Sequence, residues 1–222
     1  MGLFNFFKTK PAADVFWMTP RAKLAGVSNQ VRERLHDSRV VLVVAHFRAG
    51  LTQIGKQLSK IGVQTELHVG PLSRKQALRR IDHASRPQAL LVLADALVCE
   101  EIPGSIDRAA CSIPILVFER HFLRQKDEAI LSFARTLGRP YQLAFHLSLL
   151  DPLMLRVDCV SIIETLVLMK HPEWETVKTC VATRYLIKAA QKGAAQTATG
   201  DRAADSADEW VRLNVPAQGF DA

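Results

Sequence analysis

The sequence lacks several features that would assign a protein to a class at once. Its 222 residues include only four cysteines, Cys99, Cys111, Cys159 and Cys180, and no two of them form a CxxC pair. A disulfide framework is therefore not expected, and free thiols indicate a reducing compartment. No apolar run reaches the ~18–20 residues that a membrane span requires, and no secretory signal is visible. We therefore expect a cytoplasmic protein.

Phosphate-binding and catalytic signatures are missing as well. Neither G-x-x-x-x-G-K-[ST] nor G-x-G-x-x-G occurs, so no glycine-rich loop offers its backbone amides to a phosphate. The seven histidines show no H-x-x-x-H or H-E-x-x-H spacing, and no serine lies in a G-x-S-x-G nucleophile elbow. We therefore expect a protein that is not an enzyme and that uses neither a cofactor nor a metal.

Charge is unevenly distributed along the chain. The formal net charge is +7, but Ala194–Ala222 carries −3, which leaves +10 on residues 1–193. Since residues 194–222 are also rich in alanine, glycine and threonine, we expect a flexible acidic tail there. A basic body suits an anionic membrane, an acidic protein or nucleic acid. Nucleic acid is the least favoured, because no aromatic residue interleaves the basic cluster at residues 74–80.

Apolar runs alternate with amphipathic stretches, as in α/β proteins. The β-branched run Val40–Ala45 predicts a parallel strand that is buried on both faces. Further strands are predicted at residues 63–69, 89–93, 113–118 and 143–147. Helices are predicted at residues 50–62, 73–84, 122–137, 157–169 and 174–192. This order predicts a three-layer sandwich with a parallel sheet in the middle and additional helices at the C-terminal end.

The first residues combine bulky apolar side chains with lysines. The apolar ones are Leu3, Phe4, Phe6 and Phe7, and the lysines are Lys8 and Lys10. Aromatic residues beside lysines are typical of short segments that lie in a membrane interface, so one interpretation is a peripheral anchor on an anionic membrane. A hydrophobic staple that packs onto the domain is the other interpretation, and the sequence leaves both open.

The stretch from His121 to Met154 resembles one motor protein family. It reads HFLRQKDEAILSFARTLGRPYQLAFHLSLLDPLM, and FHLSLLDPLM is its most specific part. The stretch is similar, without a gap, to the end of the second nucleotide-binding domain of SecA, the preprotein translocase motor. The matching positions are His121, Arg124, Asp127, Gly138, Pro140, Phe145, Leu147, Ser148, Leu149, Asp151, Leu153 and Met154.

The resemblance extends, more weakly, over residues 14–193. It includes Asp14–Thr19 at the start and Ala190–Lys192 near the end. It implies an α/β three-layer, parallel-sheet RecA-like domain of the helicase C-terminal type. The predicted organisation is an N-terminal amphipathic segment at 1–13, the RecA-like domain at 14–157, a helical appendage at 158–193 and the acidic tail at 194–222.

The departures from the family concern its nucleotide contacts. Leu131 and Phe133 stand where SecA has nucleotide-sensing arginines, and Arg135 is one residue away from the next such position. One residue is a rotation of about 100° on a helix, so Arg135 points elsewhere. The family's glycine- and arginine-rich loop corresponds to residues 96–102, where Val98 and Glu101 lie. The resemblance therefore implies a retained fold without phosphate chemistry. These five residues form the predicted partner-binding site, and the alternative is that the chain's own tail fills this surface.

The favoured interpretation is a non-catalytic, SecA-like accessory module. It would bind a protein partner such as a translocase component, in protein export at the inner face of the membrane. One alternative is a nucleic-acid-binding remnant of a helicase-type domain that uses the +10 body. Another is new enzymatic chemistry at the strand ends, around His46, His68, Asp95 and Glu101.

Overall fold

A six-stranded parallel sheet forms the centre of the molecule. The computed structural model describes residues 12–107, 109–177 and 181–216, without the side chains of residues 181, 182 and 184. The strands are β1 (Ala13–Trp17), β2 (Val40–Ala45), β3 (Thr65–Leu67), β4 (Gln88–Leu93), β5 (Ile113–Val117) and β6 (Tyr141–Ser148). Their order in the sheet is β1-β6-β5-β2-β4-β3, and all pairings are parallel.

Helices cover both faces of this sheet. They are α1 (Pro20–Asp37), α2 (Arg48–Lys60), α3 (Arg74–Asp82), α4 (Arg124–Thr136), α5 (Val160–Leu168), α6 (Val181–Thr197) and α7 (Ala207–Asn214). On one face, Val27 of α1 and Ile54 of α2 pack on β2. On the other face, Ile130 and Phe133 of α4 are buried in a second core cluster. The predicted three-layer α/β architecture is confirmed.

Local sequence signals explain where several elements begin. All six residues of β2 are buried, as its uninterrupted β-branched run predicts for a central parallel strand. The helix α3 begins after Ser73, which forms a reciprocal capping box with Gln76. The helix α1 begins after Thr19, whose hydroxyl accepts a hydrogen bond from the Ala22 backbone N–H. Such caps satisfy amides that the first helical turn leaves without a partner.

Two elements at the start of the domain were not predicted from apolar periodicity. The strand β1 alternates poorly, and the buried positions of α1 include Lys23, Gly26 and Ser28, which are not recognised as apolar. Both elements are nevertheless fixed by tertiary packing. The pairing of β1 with β6 places β1 at the sheet edge, and α1 packs across it and β6.

The prediction of a flexible acidic tail at residues 194–222 is wrong over residues 194–216. The helix α6 continues to Thr197, and the chain then folds back to form α7. Trp210 of α7 is only 1% exposed and packs with Phe47 and Phe122 in a third apolar cluster. The prediction followed the acidic composition of the segment and gave no weight to Trp210, whose large apolar ring favours burial.

The predicted helical appendage corresponds to α5 and α6. Three residues of α5, namely Ile162, Ile163 and Leu166, pack on the main core, while its other side is exposed. No helix among the described residues is both long and apolar enough to cross a membrane. The predicted anchor residues, Leu3 to Lys10, lie outside the described residues.

A tight contact between α1 and β1 gives a first prediction. A Cβ added to Gly26 would lie 2.0 Å from Trp17 Cη2, whereas a Cβ on Gly193, within α6, would meet nothing within 4 Å. We expect Gly26→Ala to lower the free energy of unfolding by about 1–3 kcal/mol, because the buried Trp17 ring must shift. We expect Gly193→Ala to be neutral or stabilising by up to about 1 kcal/mol. Urea unfolding measures both, and equal midpoints for the two variants would contradict the contact.

Candidate functional site

Polar side chains gather at the edge where the strands reach their carboxyl ends. This edge is the usual ligand-binding edge of an open α/β sheet. His46 follows β2, Glu119, Arg120 and His121 follow β5, and Asp127 lies in the first turn of α4. All five side chains are buried or largely buried. Charged groups are kept in such surroundings only when they have partners, so the partners define what this edge can do.

Asp127 is at the centre of the group, and its carboxylate accepts four hydrogen bonds. Oδ1 accepts from His46 Nε2 at 2.8 Å and from the His121 backbone N–H at 3.0 Å. Oδ2 accepts from Arg120 Nη1 at 2.9 Å and from Gln191 Nε2 at 2.7 Å. An ionised carboxylate only accepts, so His46 Nε2 carries the proton of this bond. Burial acts to raise the pKa of Asp127, but the bond and charge of His46 and the charge of Arg120 lower it below its ordinary value.

Arg120 extends this network to the edge strand. Its Nε donates to Asp14 Oδ1 of β1 at 2.7 Å, and its Nη1 donates to Asp127. The guanidinium carbon lies 3.9 Å from the ring centre of Phe145 in β6. The planar fork of an arginine is well suited to a phosphate, but here two carboxylates and an aromatic face already occupy it.

Glu119 lies beside a second pair of charges and a small cavity. Its Oε1 accepts hydrogen bonds from the backbone N–H groups of His46 and Phe47 at 2.8 and 3.1 Å. Burial raises the pKa of Glu119, although the nearby charge of Lys23 opposes that shift. Lys23 Nζ itself lies 2.7 Å from Asp151 Oδ2. The cavity between these groups measures about 50 Å³, which is room for one or two waters rather than for a nucleotide.

The C-terminal segment of the chain covers this polar group with aromatic rings. Trp210 stacks on Phe122 with ring centres 4.6 Å apart and planes 6° apart. His121 lies between the rings of Phe47, at 5.5 Å, and Trp210, at 5.3 Å. Burial lowers the pKa of His121 to about 4, so its ring is neutral at pH 7. The indole Nε1 donates to Asp201 Oδ1 at 2.9 Å, which ties the loop before α7 to the ring stack.

Lys126 of α4 forms ion pairs at the same edge of the sheet. Its Nζ lies 3.1 Å from Asp95 Oδ1 and 3.2 Å from Asp201 Oδ2. Partial burial acts to lower the pKa of Lys126, but the hydrogen bonds that its ammonium donates to Asp95 and Asp201 raise the pKa overall. The cations that reach this edge, Lys23, Arg120 and Lys126, are therefore each matched by at least one carboxylate of the same chain.

The five predicted partner-binding residues do not form one exposed patch. Phe133 is 0% exposed and lies in the main core, so it presents no surface to a partner. An apolar ring is stabilised in this core, whereas a charged side chain would be costly to bury there. Leu131 is partly buried against the same core. Arg135, Val98 and Glu101 are exposed, with Val98 at 37%.

The residues proposed for new enzymatic chemistry are also separated. His46 is buried against Asp127, whereas His68 is half-buried and its Nε2 lies 3.1 Å from the Pro71 carbonyl oxygen. Asp95 pairs with Lys126, and Glu101 is exposed in the loop that follows. Among the described residues there is no group of three or more histidine, cysteine or acidic side chains that could hold a metal.

Sequence reasoning missed most of the residues that build this edge. No site role was predicted for Glu119, Arg120 or Trp210. Asp127 and His121 were identified only as positions that match SecA, with no role assigned. One signal was available in the sequence: Asp127 lies three residues before Ile130, on the buried side of α4, where a charge needs a partner.

Comparisons with known proteins find only distant matches among solved structures, at low sequence identity. No protein-family model matches the chain, and no curated protein matches it in sequence. One similar solved structure is the C-terminal domain of a possible DNA helicase from Lactobacillus plantarum, with 13% identity, a TM-score of 0.38, and coverage of 62% of this chain and 73% of that chain.

Two further solved structures are larger than the region they share with this chain. The Hef helicase domain of Pyrococcus furiosus is 15% identical with a TM-score of 0.38, over 57% of this chain and 25% of that chain. The C-terminal part of the Fun30 ATPase domain is 12% identical with a TM-score of 0.42, over 77% of this chain and 54% of that chain. The chain therefore spans about a quarter of one and about half of the other.

The four hydrogen bonds that the Asp127 carboxylate accepts give a second prediction. Asparagine keeps one acceptor oxygen but replaces the other with an NH₂ group, which would face the donors Arg120 and Gln191. We expect Asp127→Asn to lower the free energy of unfolding by about 3–5 kcal/mol, because it breaks a buried ion pair from one side. The matched control is Asp95→Asn at an exposed pair, with an expected loss of under about 1 kcal/mol. Equal losses in urea unfolding would show that the buried network is not stabilising.

Proposed function

We propose that this chain is a non-catalytic binding module related to the second motor domain of SecA. The proposal rests on one observation at the carboxyl edge, the edge of the sheet where the strands reach their carboxyl ends. There the cationic side chains are paired with carboxylates of the same chain. Arg120 and Lys23, the cations best placed to meet a phosphate there, are paired with Asp14, Asp127 and Asp151 at 2.6–2.9 Å. A motor needs cationic groups that are free to bind the transferring phosphate. Here the aromatic cover of Trp210 also occupies the space where such a ligand would approach.

The positions of Leu131 and Phe133 support the same proposal. The resemblance to SecA aligns them with arginines that contact the nucleotide, but here both side chains contribute to the apolar core. A buried phenylalanine stabilises the domain and offers nothing to a phosphate. Retention of the sheet with replacement of the contact residues is what we expect of a domain that keeps its fold and binds a different ligand.

The role in protein export and the partner are the more specific part of the proposal. They rest on the gapless resemblance of residues 121–154 to SecA and on the apolar and basic residues at 3–10. In this proposal the module binds a protein partner, such as a translocase component, at the inner face of the membrane. The segment at 1–10 would then hold the module close to anionic lipid.

The absence of nucleotide binding is tested by thermal unfolding with ligand. We expect the melting temperature to change by less than 1 °C on addition of about 5 mM ADP or ATP with Mg²⁺. A site with a Kd of ~0.1 mM would stabilise the fold by about 2.3 kcal/mol at that concentration, which is a shift of roughly 5 °C or more for a chain of this size. A dose-dependent shift of that size would refute the non-catalytic assignment.

The membrane contact is tested with vesicles that contain phosphatidylglycerol. We expect serine at Leu3, Phe4, Phe6 and Phe7 to reduce co-sedimentation with these vesicles about tenfold, because it removes the apolar side chains that would enter the interface. Serine at Val167, Leu168 and Met169, which are exposed apolar residues at the end of α5, serves as the control. We expect that control to bind like the parent chain. Unchanged sedimentation of the N-terminal variant would refute the anchor.

A further inference from the structure

A groove lies between the start of α4 and the second half of α6, outside the closed edge. It encloses about 900 Å³, and its lining includes Leu123 and Arg124 from α4, and Lys188, Lys192 and Ala195 from α6. This volume is at the upper end of the roughly 300–1,000 Å³ typical of ligand sites. The groove is therefore a larger recess than the 50 Å³ cavity beside Glu119.

The positive charge of the groove is not fully neutralised. Arg124 Nε lies 2.8 Å from Glu128 Oε1, and Asp201 is bound to Lys126 and Trp210. Lys188 and Lys192 are exposed, and within the described part of the chain neither forms an ion pair. Two ammonium groups are thus available to an anionic ligand.

The spacing of the two lysines fits an extended acidic chain. Lys188 and Lys192 are four residues apart on α6, so they lie on one face with a rise of about 6 Å between them. In an extended peptide, side chains two residues apart point to the same side and are separated by about 6.6–6.8 Å. Carboxylates at alternate positions of such a peptide can therefore reach both ammonium groups at once.

The wall that carries these lysines is held firmly in place. Gln191, between them, is buried, and its Nε2 donates to Asp127 Oδ2 at 2.7 Å and to the His121 carbonyl oxygen at 2.9 Å. Ala190 and Ala194, on the same helix, are buried in the cluster around Trp210. A wall that is fixed before binding loses little conformational freedom when a ligand arrives.

The other residues of the lining favour a peptide over a nucleic acid. Leu123, Ala195 and Ala198 give it an apolar floor, and no aromatic ring is among the lining residues. Single-stranded nucleic acids bind to proteins by stacking their bases on aromatic rings, in addition to phosphate contacts. An apolar floor beside two ammonium groups suits a peptide in which acidic and apolar side chains alternate.

We infer that this groove binds an extended acidic segment of a protein partner, with carboxylates at alternate positions against Lys188 and Lys192. The inference rests on the proposed function, because it names the chemistry of the partner that the module binds. It uses a surface of α4 and α6 and does not require the carboxyl edge to open.

The experiment measures binding of a fluorescein-labelled eight-residue peptide, with glutamate at alternate positions and alanine between them, by anisotropy with the full-length chain. We expect Lys188→Glu with Lys192→Glu to weaken binding about tenfold, because two attractions become repulsions. The control is Lys56→Glu with Lys60→Glu, which makes the same change at the same spacing on exposed positions of α2. We expect these α2 changes to weaken peptide binding less than twofold. We also expect the parent chain to bind a peptide with glutamine in place of glutamate at least tenfold more weakly.

Several results would overturn the inference. One is equal loss of binding in the α6 and α2 variants, which would indicate nonspecific attraction. Another is an eight-nucleotide RNA that binds in a Lys188- and Lys192-dependent manner while the acidic peptide does not bind. A third is peptide binding that occurs only after removal of residues 217–222, which would assign the groove to the chain's own last residues. If Lys188→Glu with Lys192→Glu fails to fold by circular dichroism, Lys188→Gln with Lys192→Gln replaces it.

The inference and the proposed function fail in different ways. A thermal shift with ADP would refute the non-catalytic assignment and leave the peptide measurement standing. If the acidic peptide does not bind and ADP does not change the melting temperature, the inference of an acidic partner is refuted. The proposal of a module that binds no nucleotide then still stands.

Discussion

The buried carboxylate of Asp127 is the interaction on which the arrangement of this protein depends. It accepts hydrogen bonds from residues that follow β2 and β5 and from α6, and Arg120 links it to Asp14 in β1. A buried charge without a partner costs free energy, so the Asp127 carboxylate and the charged side chains around it are stable only when they are paired with one another. The position of α6 against the sheet is thereby coupled to the geometry of the strand ends.

The same coupling explains how the carboxyl edge of the sheet, where α/β proteins usually bind ligands, is covered in this protein. Once Gln191 holds α6 against Asp127, the chain that follows α6 is brought back over His121, and Trp210 covers its ring. The charged groups beneath are satisfied within the chain, and the free charge is left outside, on the exposed side of α6. Under the proposed function, the binding surface lies on a helix face instead of at the sheet edge, and it recognises carboxylates instead of phosphates.

The layered fold could be predicted from the sequence, but the site could not. The uninterrupted apolar run of β2 and the Ser73 cap carry their own structural signals, since strand burial and helix capping are local properties. Asp127 carries only one local signal, its place on the buried side of α4. Neither Arg120 nor Asp127 carries a signal that names its partner, because Asp14 and Gln191 lie more than 60 residues away in either direction. Trp210 was not predicted to be buried, because the acidic composition of residues 194–222 indicated a flexible tail. Phe133 was expected at a surface because the resemblance to SecA aligns it with an arginine that contacts the nucleotide, but Phe133 is buried in the core.

The pairing of the first strand has a consequence for the order in which the protein can form. Ala13 of β1 is paired with Ala144 of β6, so the sheet edge joins residues from opposite ends of the domain. During synthesis, β1 has no neighbour until β6 has left the ribosome, and Arg120 and Asp127 remain without Gln191 for longer still. Contacts of such long sequence separation slow folding. The nascent domain therefore exposes an unpaired strand and an incomplete charge cluster for most of its translation.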